Sequence, residues 1–96
     1  MKFGLTEISY KKIKEVVEKY KEYTFKVFGS RARGDYKGSS DIDIAVEGNV
    51  DKMKQIEIMN EFDLLDMPYM IDIIFICELE KKELIESIER EGVIYE

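Results

Sequence analysis

The chain has 96 residues, a formal net charge of −6, 45% apolar residues, one proline, one cysteine and no histidine. That length holds one domain, expected over residues 1–96, whose core buries roughly 60–70% of the unfolded chain's surface. Without histidine, and with a lone cysteine, zinc sites and Ser-His-Asp or Cys-His catalysis are excluded within the chain, so chemistry must rest on carboxylates, hydroxyls, Lys and Arg.

The first helix is expected to be capped by Thr6 or Ser9 and to run to about residue 22, with Ile13, Val16, Val17 and Tyr20 on one stripe. Residues 24–28 form a short β-rich run ending at Gly29, and residues 30–40 read as a turn followed by a loop. A second strand spans 41–46. A helix over about 51–65 is expected to turn Met53, Ile56, Met59 or Asn60, and Leu64 inward, with Pro68 marking its end. Residues 69–77 are nearly continuous apolar sequence, the pattern of a strand covered on both faces, with Cys77 as core filler. A last helix over 79–91 should bury Leu84, Ile85 and Ile88 and stop at Gly92, leaving Val93, Ile94 and Tyr95 as an apolar tail. The order α-β-β-α-β-α predicts an α+β (mixed α/β) fold: a small mixed sheet of three or more strands with helices mainly on one face.

No apolar run approaches the ~20 residues of a membrane span, and the longest, 70–77, is interrupted by Asp72. The start, Met1-Lys2-Phe3 and then a polar amphipathic stretch, shows no secretory signal. The unpaired cysteine fits a reducing, cytoplasmic setting. The acidic balance argues against direct nucleic-acid binding, which needs Lys and Arg to neutralise phosphates. Charge is nevertheless uneven: Lys26, Arg31, Arg33 and Lys37 fall within a short window whose single acid is Asp35. A local basic patch in an acidic chain suits one small polyanion.

The chemistry concentrates in the acids. Asp41 and Asp43 lie one residue apart on a strand, so they share a face, while Ile42, Ile44 and Val46 share the other. Two crowded carboxylates repel and lose hydration, and a cation offsets both penalties. Oxygen-only ligands favour Mg²⁺ or Mn²⁺. Asp72, between Ile71 and Ile73 in the next strand, can face the same side if the two strands pair. Three such carboxylates can serve two divalent ions in phosphoryl transfer. Gly29 lets backbone approach a phosphate, Ser30 offers a hydroxyl, and Arg31 and Arg33 offer charge-assisted contacts. Two rival motifs fail. Asp35 stands where a P-loop needs its lysine, and Ala45 and Val46 stand where a calcium loop needs further ligands and a glycine.

Gly29-Ser30, ten residues, then Asp41-Ile42-Asp43, with Asp72 in the third strand, resembles the signature of the DNA polymerase β-like nucleotidyltransferase superfamily. The wording Gly29-Ser30-Arg31-Ala32-Arg33-Gly34 and the short length look most like its minimal nucleotidyltransferases, the antitoxins paired with HEPN-domain toxins. The resemblance implies Mg²⁺-dependent transfer of AMP from ATP to a hydroxyl, a tyrosine of the toxin in that branch. It makes Asp41, Asp43 and Asp72 metal ligands and catalytic residues and assigns the nucleoside triphosphate to Gly29 and Ser30, where the nearby Arg31 and Arg33 are expected to add their charge-assisted contacts. Two other readings are an antitoxin that neutralises by contact with an idle site, and a transferase acting on a small molecule.

Overall fold

The computed structural model describes residues 2–38 and 40–96. In chain order these form α1 (Glu7–Lys19), β1 (Thr24–Phe28), α2 (Ser30–Arg33), β2 (Ile42–Glu47), α3 (Lys52–Asp63), β3 (Ile71–Phe75), a 3₁₀ turn (Ile76–Glu78), α4 (Lys82–Glu91) and β4 (Val93–Ile94). The strands make one mixed sheet in the order β3-β2-β1-β4. β1 runs antiparallel to both β2 and β4, and β2 runs parallel to β3.

The Thr6 side chain accepts from the Ser9 amide and starts α1, which turns Ile13 and Val16 into the core, joined by Tyr20 at its C-cap. Alternation along β1 sends Phe25 and Val27 to the same core, and β2 adds Ile42, Ile44 and Val46. Ala45 and Ile88 are also fully buried but stand outside that cluster. They belong to the opposite face of the sheet, where α4 packs beside β1.

The structure corrects several expectations. The start of the 30–40 segment is helical, as α2, and Asp41 lies immediately before β2 rather than within it. α3 buries Gln55, Ile58 and Phe62, whereas Met53 is 73% exposed and Leu64 81%, with Ile56 and Met59 also outward. Two apolar stripes compete on this helix. The one carrying Phe62 wins because that ring packs on Phe25, 6.2 Å between centroids. Gln55 belongs to the inner stripe because its amide donates to the Val50 carbonyl and to Glu78, each at 2.9 Å, which satisfies it while buried.

β3 is an edge strand, so Ile71, Ile73 and Ile74 are only half-buried instead of covered on both faces. Cys77 is exposed, its thiol 3.7 Å from the Val50 carbonyl, rather than core filler. The 3₁₀ turn delays α4 to Lys82. The tail is no tail: Val93 and Ile94 pair with β1, and Tyr95 is buried with its hydroxyl donating to the Tyr10 carbonyl at 2.7 Å. Among the described residues no helix is long and apolar enough to cross a membrane.

Candidate active site

Sheet register brings the acids together. Asp43 on β2 is the direct partner of Asp72 on β3. In-register residues of neighbouring parallel strands project to the same side, about 4.8 Å apart. The Ile42 amide donates to the Met70 carbonyl at 2.8 Å, which ties the entrance of β2, and hence Asp41, to the entrance of β3. Asp41 and Asp72 are exposed, while Asp43 is half-buried between them.

On its other side Asp43 is in register with Phe28, the last residue before Gly29. Gly29 has φ +74° and ψ −153°, a backbone state reserved almost wholly for glycine. A Cβ there would sit 2.5 Å from Asp43 Oδ2. The glycine is therefore required twice, by its dihedrals and by the carboxylate pressed against it. Gly29 then launches α2, with the Ala32 and Arg33 amides donating to its carbonyl at 3.2 and 3.1 Å. Gly34, at φ +92°, ends the helix by donating to the Ser30 carbonyl at 2.8 Å. These bonds place Ser30 at the start of the turn that follows β1, beside the strand that carries Asp43.

Electrostatics record the crowding. Burial pushes the Asp43 carboxyl above the ordinary aspartate range, the Asp72 and Asp41 charges push it further, and Arg33 opposes them. A divalent cation would relieve this repulsion, and an all-oxygen donor set suits Mg²⁺, which takes one or two carboxylates and completes its shell with phosphate oxygens. Among the described residues no three acidic groups already close into a cage. The residues fit a site shared with a phosphate chain rather than an all-protein cage.

The two arginines separate. Arg33 is exposed beside the acids, its Nε donating to Asp35 Oδ2 at 3.2 Å and a terminal nitrogen reaching Glu91 Oε2 of α4 at 3.4 Å. Arg31 is 2% exposed, and its guanidinium donates to the backbone carbonyls of Phe3, Gly38 and Ser40. The structure thus gathers Gly29, Ser30, Arg33, Asp41, Asp43 and Asp72 at one end of the sheet and turns Arg31 away into the interior. Sequence reasoning missed the interior role of Arg31 because its partners are backbone carbonyls, which carry no residue signature.

Residues 11–96 match the family described as Polymerase beta, Nucleotidyltransferase. Two relatives from Methanocaldococcus jannaschii are each named a putative protein adenylyltransferase. One is 36% identical over 94 residues, covering 95% of this chain and 93% of its own. The other is 51% identical over 43 residues, which is 45% of this chain, and the matched stretch spans half of that relative's length. Among solved structures, the fold is shared with the crystal structure of a toxin–antitoxin with AMP-PNP (TM-score 0.67, 22% identity, 91% of this chain and 72% of that one). A putative nucleotidyltransferase from Sulfolobus solfataricus also aligns, at TM-score 0.54 and 26% identity, over 88% of this chain and 77% of its own. With the paired aspartates, the glycine-serine turn and the match over residues 11–96 in agreement, the chain belongs to the Polymerase beta nucleotidyltransferase family.

Proposed function

We propose that this nucleotidyltransferase moves AMP from ATP to a hydroxyl of a protein partner, a tyrosine of a HEPN-type toxin, and so serves as the antitoxin. The observation that carries the reading is Asp43, held between its register partner Asp72 and the backbone of Gly29. Acids and phosphate-gripping turn thereby meet at one point.

Asp41, Asp43 and Asp72 would hold Mg²⁺, two ions or their Mn²⁺ equivalents. When bound, the metal neutralises triphosphate charge and eases ionisation of the acceptor hydroxyl. The remaining work falls to the chain itself. Gly29 and Ser30 receive phosphate oxygens at the turn, and Arg33 adds a cation beside them. Asp72, the exposed acid on the edge strand, accepts the acceptor's proton as its oxygen bonds to the α-phosphorus. The bond from that phosphorus to the bridging oxygen breaks, and pyrophosphate leaves. Orientation and electrostatic stabilisation supply the rate.

Two exposed acids, Asp72 on the edge strand and Asp41 at the entrance of β2, favour an acceptor delivered on a macromolecule. The outward Met53, Ile56 and Met59 of α3 add apolar surface of the kind partners cover. The test is incubation with purified toxin, Mg²⁺ and α-labelled ATP. Label on the toxin that disappears with Asp41→Ala supports the transfer reaction. Neutralisation by that variant without label would instead establish an antitoxin acting by contact.

A further inference from the structure

Among the described residues Arg31 is the one charged side chain that is buried, at 2% exposure. Its guanidinium spends Nε at 3.2 Å and a terminal nitrogen at 2.9 Å on the Ser40 carbonyl. It also reaches the Phe3 carbonyl at 2.8 Å and the Gly38 carbonyl at 3.4 Å. The ring of Tyr36 lies 4.9 Å and that of Tyr69 4.7 Å from its central carbon. A buried cation is costly, and this one is offset by carbonyl dipoles and two aromatic faces.

The places it joins are the point. Ser40 directly precedes Asp41, and Tyr69 precedes Met70, whose carbonyl accepts from Ile42. Phe3 belongs to the N-terminal segment. One planar side chain thus fixes the residue before the first acid, the lead-in to the strand of the third, and the segment beneath them. We infer that Arg31 is a positioning residue that sets Asp41 for metal–nucleotide binding from behind, rather than a ligand of the nucleotide. The inference rests on the reading of Asp41 as a metal ligand. Lysine cannot replace it, because a single ammonium lacks the planar fork that reaches the Phe3 and Ser40 carbonyls together.

The test is equilibrium binding of Mn²⁺ with α,β-methylene ATP, an analogue that cannot release pyrophosphate, to wild type, Arg31→Lys, Asp41→Ala and the double variant. Arg31→Lys should weaken binding about 10–100-fold, as loss of groups that orient metal ligands does. The double variant should bind no more weakly than Asp41→Ala alone, since both act through one carboxylate. Wild-type affinity in a folded Arg31→Lys, or losses that add in the double variant, overturns the inference; additive losses would mean direct contact with the nucleotide. Undiminished binding by Asp41→Ala would instead refute Asp41 as a ligand and bring down the functional reading. Should Arg31→Lys not fold, Tyr69→Leu, which removes one ring and keeps the carbonyl bonds, decides the matter by the same comparison. It should weaken binding at least several-fold alone and not at all in the Asp41→Ala background, and any other pattern overturns the inference.

Discussion

Replacing Gly29 by alanine imposes two penalties through one methyl group. The residue sits at φ +74° and ψ −153°, where a side chain costs about 1–3 kcal/mol of backbone strain. The new Cβ would then meet Asp43 Oδ2 at 2.5 Å. Relief requires the carboxylate to leave its rotamer between Phe28 and Asp72, at about 0.5–1.5 kcal/mol. Together Gly29→Ala should cost about 2–4 kcal/mol. At 4–8 °C per kcal/mol for a chain of this size, the melting temperature should fall by roughly 10–25 °C. Thermal unfolding followed by circular dichroism in chelator reads this directly. The two parts separate in an Asp43→Ala background, where the steric part has nothing to strike and the penalty should shrink by about 1 kcal/mol. A melting temperature within about 2 °C of wild type, or an equal penalty in both backgrounds, would refute the claim that the turn and the acid are in contact.

Asp43→Asn should stabilise the metal-free protein by roughly 1 kcal/mol, the repulsion of carboxylates about 5 Å apart at the surface. The sign follows from a folded-state carboxyl raised above its unfolded value. Between those two values the native state holds the extra proton, so wild-type stability falls as pH rises through the window and then levels off, while the variant shows no such step. Denaturant midpoints of both proteins across pH 3–8 check this, and a wild type gaining on the variant with rising pH would contradict it. With Mg-ATP the order reverses, since ligand held at 100 times its dissociation constant adds about 2.7 kcal/mol to wild type alone. Phe62→Ala should cost about 3–5 kcal/mol and Met53→Ala less than about 0.5 kcal/mol; urea denaturation giving the opposite order would mean that α3 faces the other way. Tyr95→Phe leaves the Tyr10 carbonyl without its 2.7 Å partner and should cost about 1–2 kcal/mol in the same measurement.

The sequence by itself narrowed the chemistry and pointed to its candidate residues. Alternation predicted one face for Asp41 and Asp43, although Asp41 lies just before β2, glycine before serine marked the turn, and composition removed Ser-His-Asp and Cys-His catalysis. Such features are local, since a two-residue period and a backbone-permissive residue act over a few bonds. Tertiary structure decided what depends on neighbours distant in the chain. Strand order left β3 at the edge and put Asp72 in register with Asp43. It also made the C-terminal residues a strand by supplying β1 as a partner. The inward face of α3 was chosen by the Phe62–Phe25 contact over the rival stripe of Met53, Ile56 and Met59. Arg31, which sequence reading placed on the phosphates, went inward because backbone carbonyls from three separate positions converge on it. Convergence of main-chain acceptors leaves no trace in residue types, and so only the folded chain could reveal it.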